Sequence, residues 1–172
     1  MAHHHGETHD LFITGVKNAH AMEKQALSIM KPQVARLESY PQVLAKLEQH
    51  IRETEGQLAR LDQILSKHGT DASGVKDTML SMAGMMAALG HTVAPDEILK
   101  NSFANYAFEN FEIAAYTSLI TMAEMAGESS AIPLLNQNLD EERAMADWLK
   151  NNLASVTATY LSLREAGEKA KV

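Results

Sequence analysis

The chain has 172 residues, a formal net charge of −7 and no cysteine. The negative charge argues against binding to nucleic acid, and the lack of cysteine excludes disulfides, thiolate zinc sites and iron–sulfur clusters. This composition fits a cytoplasmic protein. The chain contains no run of about 18 consecutive apolar residues, and its N-terminus lacks the apolar stretch of a signal peptide, so we expect no membrane association.

Regularly spaced apolar residues indicate two long helices in the first half of the chain. The first pattern begins near Asp10 and contains Pro32, which should kink the helix or end it. Ser39 is the predicted N-cap of the second helix, which continues to about His68. The row of this helix predicted to face the core is Leu44, Leu47, Ile51, Thr54, Leu58, Leu61 and Leu65. Residues 1–9 precede both patterns, and we expect this segment to be flexible.

Two further long helices are predicted in the second half. The third begins after Pro95 and ends by Gly127, and the fourth begins near Ser129 or Ser130 and continues into the 160s. The row of the third helix predicted to face the core is Ile98, Ser102, Asn105, Glu109, Glu112, Tyr116, Leu119 and Ala123. Residues 70–95, between the second and third helices, are rich in methionine and glycine. We predict a short amphipathic helix there, within a long crossover connection.

This order of elements predicts an all-α fold. Two long helices, a long connection and two further long helices are typical of a ferritin-like four-helix bundle, here with a crossover that carries a short extra helix. The bundle should occupy residues 10–166 as one domain, and the tail from 167 to 172 should be flexible.

Four glutamates are the most informative residues of the chain. They form two pairs, 30 residues apart within each pair and offset by 89 residues: Glu23 with Glu53, and Glu112 with Glu142. Three of the four fall on the apolar seam of a helix, and Glu53 falls beside one. Because a carboxylate is costly to bury unless it is paired, protonated or bound to a cation, the four glutamates predict one shared metal site inside the bundle.

Two further residues complete the predicted ligand set. Glu109 lies one turn before Glu112, and His50 lies one turn before Glu53 on the same helix face. Sites in helical bundles that bind two iron or two manganese ions combine glutamate and histidine in this way. We therefore predict one or two iron ions, with manganese as the alternative.

The histidine positions depart from the usual pattern. In a Glu-x-x-His pair the histidine follows the glutamate by three residues, but Gly56 follows Glu53 and Met145 follows Glu142 at that spacing. The predicted site is therefore rich in carboxylates, with His50 as its nitrogen ligand.

Several other polar residues lie near these positions. His20, one turn before Glu23, is a candidate outer partner of that carboxylate, and Tyr116, one turn after Glu112, is placed to donate a hydrogen bond. Glutamates elsewhere in the helical patterns are expected to face solvent, and these are Glu55, Glu124, Glu128 and Glu141.

The chain resembles the YciE/YciF-type ferritin-like proteins of bacteria over about residues 10–160. The matching segments are Asp10-Leu-Phe, Ala21-Met-Glu-Lys-Gln-Ala-Leu27, His50-Ile-Arg-Glu-Thr-Glu-Gly-Gln57 with Arg60-Leu-Asp62, Glu109-Asn-Phe-Glu-Ile-Ala-Ala-Tyr116, and Leu139-Asp-Glu-Glu142. The resemblance implies a bundle akin to rubrerythrin, often a homodimer, in a family linked to stress responses. The histidines of rubrerythrin have no counterparts here, so the resemblance does not carry peroxidase activity over.

Two kinds of function fit these features. The first is a metal-binding protein whose activity, if it is an enzyme, is ferroxidase, peroxidase or catalase-like redox chemistry. In that case Glu53 and Glu142, or Glu112, would bridge the ions. The second is a non-catalytic structural or interaction protein, a stress-related homodimer with a vestigial metal site. The sequence identifies neither a redox partner nor catalytic residues.

Overall fold

The chain folds into a bundle of long helices. The computed structural model describes residues 2–73 and 94–172. These residues form α1 (Ala2–Val34), α2 (Pro41–Lys67), α3 (Glu97–Ala126) and α4 (Ile132–Glu165). The predicted all-α four-helix bundle is therefore confirmed. The short extra helix predicted in the crossover falls outside the described residues and stays a prediction.

Helix α1 is antiparallel to both α2 and α3. His9, near the start of α1, contacts His68, just beyond the end of α2. Gln33, near the end of α1, exchanges two hydrogen bonds of 3.0 and 2.9 Å with Asn105, near the start of α3. It follows that α2 and α3 run in the same direction.

Helix α4 is antiparallel to α2. His50 faces Glu142, and Arg60, further along α2, bonds Asn138, which comes earlier in α4. Because α2 and α3 are parallel, the end of α2 and the start of α3 lie at opposite ends of the bundle. This order of helix directions is that of ferritin-like folds with one long crossover.

The two ends of α1 differ in how well the sequence predicts them. The helix begins at Ala2, eight residues before the predicted start at Asp10, so most of the segment expected to be flexible is helical. It ends at Val34, two residues beyond Pro32. The predicted break is confirmed, because Pro32 has no N–H to bond the carbonyl four residues earlier and its ring crowds that carbonyl, and the helix ends soon after it.

The predicted serine N-cap of α2 is wrong. Helix α2 begins at Pro41, after Tyr40, and the hydroxyl of Ser39 instead donates a 2.8 Å hydrogen bond to the carbonyl of Lys169. Helix α4 begins at Ile132, after Ala131. Each of these two helices has proline in its first turn, where the fixed φ angle favours a helix start without a side-chain cap.

The last residues of the chain pack against the bundle, where the sequence predicts a free tail. The hydroxyl of Tyr40 donates a 2.6 Å hydrogen bond to the carbonyl of Ala170, and the N–H of Ile98 donates a 2.9 Å bond to the carbonyl of Lys171. Ala170 and Val172 are buried. The tail thus joins the start of α2 to the start of α3.

The predicted core face of α3 is confirmed, and that of α2 is confirmed at Leu47, Thr54, Leu61 and Leu65, which are buried. The seam positions of α3 that are buried are Ile98, Ser102, Asn105, Glu109, Glu112, Tyr116, Leu119 and Ala123. In α2 the polar residues His50 and Gln57 are buried, whereas Ile51 and Leu58 on the predicted seam are only half-buried. Two neighbouring rows of side chains on α2 are suited to burial. The spacing of apolar residues predicts the row that contains Ile51 and Leu58, but the row that contains His50 and Gln57 is the more buried.

None of the helices formed by the described residues has the length and apolar character needed to cross a membrane.

Candidate metal centre

Four helices each place at least one polar side chain in the middle of the bundle. Helix α3 contributes Glu109 and Glu112, which lie one turn apart and therefore share a face. Helix α1 contributes Glu23, α2 contributes His50 and α4 contributes Glu142. The relative exposure of these five residues is between 0 and 4%.

His50 is the centre of this group. Its Nε2 atom lies 3.3 Å from Oε2 of Glu109 and 3.3 Å from Oε2 of Glu142. One ligand atom from each of His50, Glu109, Glu112 and Glu142 lies within 4.8 Å of the other three. A single cation placed among these atoms could therefore contact side chains from three helices.

Glu23 lies beside this cluster and is held by Tyr116. The tyrosine hydroxyl donates a hydrogen bond to Oε1 of Glu23 and accepts one of 2.9 Å from Nδ2 of Asn138. Oδ1 of Asn138 in turn accepts a bond from Arg60, which also pairs with Glu141. A chain of hydrogen bonds thus leads from Arg60 to Glu23, and the predicted bond from Tyr116 to a carboxylate is present.

Glu53 takes a different place from the one predicted. Its Oε2 atom lies 3.0 Å from Nδ1 of His50, the ring nitrogen that faces away from Glu109 and Glu142, and its side chain is 24% exposed. Gln49 also donates a 2.7 Å hydrogen bond to Glu53. This geometry orients the imidazole, as carboxylates behind metal-binding histidines do, and it keeps Glu53 outside the four converging residues.

Three of the buried carboxyl groups, those of Glu23, Glu112 and Glu142, have raised pKa values when no metal is present. Burial, together with the nearby Glu142, raises the pKa values of Glu23 and Glu112 well above their ordinary value. Burial raises the pKa of Glu142 to about 7, although His50 acts in the opposite direction. The cause is the cost of holding several negative charges in a low-dielectric interior.

The pKa of His50 is also raised well above its ordinary value. Burial lowers it, but the carboxylates of Glu109, Glu142 and Glu53 together outweigh burial. The imidazolium form is therefore the natural partner of the carboxylates in the metal-free protein. A bound cation would take over this role and would bind the neutral imidazole.

The hydrogen-bonding capacity of the site fits a cation. Six carboxylate oxygens lack a hydrogen-bond partner among the described residues: one in Glu23, one in Glu109, two in Glu112 and two in Glu142. Nε2 of His50 is likewise without a hydrogen bond. Buried polar atoms are nearly always satisfied in proteins. The carboxylate oxygens accept rather than donate once ionised, and Nε2 of His50 accepts when the imidazole is neutral and carries its proton on Nδ1. The residues present therefore fit a divalent metal ion with oxygen and imidazole ligands.

Some polar residues of this region were not predicted to belong to it, or were assigned other partners. Gln57 is fully buried, and neither its amide nitrogen nor its amide oxygen has a partner among the described residues. Its place in the row of His50 was a visible signal. His20 pairs with Asp62 at 3.2 Å rather than with Glu23, and Glu141 pairs with Arg60 instead of facing only solvent.

The sequence of the chain is similar to those of known proteins. The family model of a domain of unknown function, DUF892, matches residues 7–162. Protein YciF of Escherichia coli strain K12 is 27% identical over 169 aligned residues, and the match covers 94% of each chain.

Solved structures show the same fold. A protein from Xanthomonas campestris pv. campestris has a TM-score of 0.78 at 28% identity, covering 92% of this chain and 99% of its own. The structure of the E. coli stress protein YciF has a TM-score of 0.74 at 26% identity, covering 86% of this chain and 97% of its own. The resemblance to YciF-type proteins seen in the sequence is confirmed, and the chain belongs to the DUF892 family.

Proposed function

We propose that this protein binds iron at the bundle centre through His50, Glu109, Glu112 and Glu142, with manganese as the alternative ion. The observation that carries the proposal is the set of six buried carboxylate oxygens that have no hydrogen-bond partner within residues 2–73 and 94–172. Oxygen-rich sites favour hard cations such as iron and manganese. Glu23, with one free oxygen beside the cluster, is the proposed ligand for a second ion.

Charge balance supports a divalent ion. Among the described residues no lysine or arginine forms an ion pair with Glu23, Glu109, Glu112 or Glu142, and the nearby Arg60 is engaged by Asn138 and Glu141. Each carboxylate buried without compensation costs several kcal/mol. A cation of charge +2 offsets two of them, and a pair of such ions would offset all four.

The proposed activity is redox chemistry with peroxide or dioxygen in a stress response. A bound iron or manganese ion would supply the electron transfer. The chain supplies a dry, buried site and holds protons close to it, because Tyr116 keeps its hydroxyl hydrogen bonded to Glu23 and burial raises the pKa of Tyr116 well above its ordinary value. The stress role is extended from the related E. coli protein, which is described as a stress protein.

Metal analysis tests the proposal. The protein is purified without metal-affinity chromatography, loaded anaerobically with Fe²⁺ or with Mn²⁺, desalted and measured for metal per chain. We expect at least one tightly held ion per chain, and the loss of that ion in Glu112→Gln. Metal content far below one ion per chain after loading with either ion would overturn the proposal.

The second candidate is a structural or interaction protein that forms a homodimer. Three aromatic residues of α3 are exposed, namely Phe103 at 53%, Phe111 at 41% and Tyr106 at 37%. Exposed aromatic side chains on one helix favour a protein interface. Light scattering should give the mass of a dimer, and Phe103→Ser should shift it toward the monomer. A monomer mass for the parent protein would overturn this proposal and would leave the metal site unaffected.

A further inference from the structure

A second cluster of metal-binding side chains lies at one end of the bundle. His9 of α1, His68 after α2 and Glu128 after α3 place one ligand atom each within 4.8 Å of the other two. Nε2 of His9 lies 3.1 Å from Nδ1 of His68 and 3.5 Å from Oε1 of Glu128, and Nε2 of His68 lies 3.3 Å from Oε2 of Glu128. The sequence suggests no link between these residues, because they are far apart in the chain and Glu128 is expected to face solvent.

The fold holds two of these residues at helix ends. His68 directly follows α2 and precedes Gly69, which has a φ of +64°. Glu128 follows Gly127, with a φ of +76°, and its N–H donates a 2.8 Å hydrogen bond to the carbonyl of Ala123. Two helices thus direct their carbonyl ends toward the cluster. The negative end of the helix dipole favours a bound cation at such a position.

Packing orients both imidazole rings. The rings of His9 and His68 meet edge to face with centroids 4.9 Å apart, and the ring of Phe12 lies 6.2 Å from that of His68. The side chains of His9, His68 and Glu128 are 38%, 18% and 19% exposed. The cluster is therefore fixed by the core on one side and reachable from solvent on the other.

The spacing of the ligand atoms suits zinc. Ligands that lie 2.0–2.1 Å from a tetrahedral zinc ion are about 3.3 Å from one another. Two separations from Nε2 of His9 agree with this value, 3.1 Å to Nδ1 of His68 and 3.5 Å to Oε1 of Glu128. The 3.3 Å contact between Oε2 of Glu128 and Nε2 of His68 joins the other atom of each pair, and one ligand atom from each residue lies within 4.8 Å of the other two. Two imidazoles with one carboxylate are borderline ligands that suit zinc, whereas the bundle centre is dominated by carboxylates and suits harder ions.

We propose that His9, His68 and Glu128 form a zinc site, separate from the bundle centre. A depression lined by Asp10, Ile13, Thr14 and Thr70 borders the two histidines and leaves room for a water molecule as the fourth ligand. The zinc ion replaces the proton that the two imidazoles share across their 3.1 Å contact. Because its ligands come from α1 and from the ends of α2 and α3, the ion stabilises the packing of these three helices at one end of the bundle.

The site is distinct from the proposed iron or manganese centre. Glu23, which lies at that centre, follows His9 by 14 residues of the same helix, a distance of roughly 21 Å along the helix axis. Zinc binding at His9, His68 and Glu128 can therefore be tested independently of metal binding by His50 and the buried glutamates.

The test is a zinc titration in competition with a chromophoric chelator. For this test the parent protein is a variant that carries His3→Gln, His4→Gln and His5→Gln, so that the histidines near the N-terminus do not contribute to zinc binding. In this background we compare His68→Gln and Glu128→Gln with His20→Gln, a matched control that removes a histidine of α1 paired elsewhere. Circular dichroism and thermal melting establish that each variant is folded.

We expect the parent and the His20→Gln variant to bind one more zinc ion per chain than the two site variants. The affinity for that ion should fall at least about tenfold in His68→Gln and in Glu128→Gln. Equal zinc binding in all four proteins would overturn the proposal, and so would equal loss in the His20→Gln control. Should His68→Gln fail to fold, because His68 also ends α2, His9→Gln replaces it in the comparison.

Added zinc should also raise the melting temperature of the parent, since a ligand that binds only the folded state stabilises it. The rise in melting temperature on adding zinc should be smaller in Glu128→Gln, because this variant has lost one of the three zinc ligands. An equal shift in the parent and in both site variants would contradict the site.

Discussion

His50 of α2 and Glu142 of α4 meet in the middle of the bundle, with 3.3 Å between Nε2 and Oε2, and both side chains are buried. The other nitrogen of His50 faces Glu53 at 3.0 Å. The imidazole of His50 thus lies between the buried carboxylates of Glu109, Glu112 and Glu142 and that of Glu53, which is partly exposed. This arrangement distinguishes residues that would touch a metal ion from one that would act through the histidine.

Glu142→Gln should abolish metal binding at the bundle centre, because it removes a carboxylate oxygen next to His50. The metal-free variant should be as stable as the parent or more stable, since one buried charge without compensation has gone. Calorimetric titration with Mn²⁺ and unfolding in urea measure the two effects. Glu124→Gln, an exposed change on α3, is the control and should alter neither. Retained Mn²⁺ affinity in Glu142→Gln would exclude Glu142 as a ligand.

Glu53→Gln should weaken metal binding without abolishing it. Glu53 contacts Nδ1 of His50, and carboxylates in that position change metal affinity by about 10- to 100-fold. The measurement is again the Mn²⁺ dissociation constant, with Glu55→Gln, two residues away and exposed, as the control. Complete loss of binding would instead indicate that Glu53 moves to contact the metal directly, as the sequence pattern suggested.

Metal-free protein should lose stability as the pH rises from about 4.5 to about 7. The pKa of Glu142 is 4.5 in the ordinary state and about 7 in the fold, so the folded state holds a proton that the unfolded state has already released. Its contribution is complete below pH 4.5 and disappears as the pH passes about 7, by up to about 3 kcal/mol. The raised pKa of His50 acts in the same direction.

Urea unfolding of the metal-free protein at several pH values measures this effect, and Glu142→Gln should flatten the profile. Affinity for Mn²⁺ should change in the opposite sense over the same range, because carboxylates bind metal only after they lose their protons. A metal-free protein that gains stability between pH 5 and pH 7 would contradict the assignment.

Tyr116→Phe should destabilise the metal-free protein by about 1–3 kcal/mol. The buried hydroxyl donates to Glu23 and accepts from Asn138, so its removal takes the donor from Oε1 of Glu23 and leaves Nδ2 of Asn138 with only its 3.5 Å bond to the carbonyl of Gln57. Tyr106→Phe makes the same chemical change at an exposed position of the same helix and should have little effect. Unfolding in urea compares the two variants, and equal stability would show that the hydroxyl contributes nothing to the fold.

The spacing of apolar residues was sufficient to predict the four helices, their order and the core face of α3. The seam of α3 could be identified from its regular steps of four and three residues, although it contains Ser102, Asn105, Glu109 and Glu112. Prediction was only partly right at α2, where two adjacent rows are both suited to burial. There the contacts of His50 with Glu109 and Glu142, which no local pattern contains, decide which row faces the core.

Features that depend on distant contacts could not be read from the sequence. The packed tail requires Tyr40 and Ile98 to meet residues more than 70 positions away. The cluster of His9, His68 and Glu128 forms only because α1 is antiparallel to both α2 and α3. Metal ligands in one helix are therefore easier to predict than ligands that the tertiary fold brings together.

The most direct test of the central claim is anomalous scattering from crystals loaded with iron or with manganese. Data collected on both sides of the absorption edge of the loaded metal locate the ion independently of any assumption about its ligands. We predict an anomalous peak within bonding distance of His50, Glu109, Glu112 and Glu142. A loaded crystal with no peak at the bundle centre, or with a peak only elsewhere on the chain, would contradict this account.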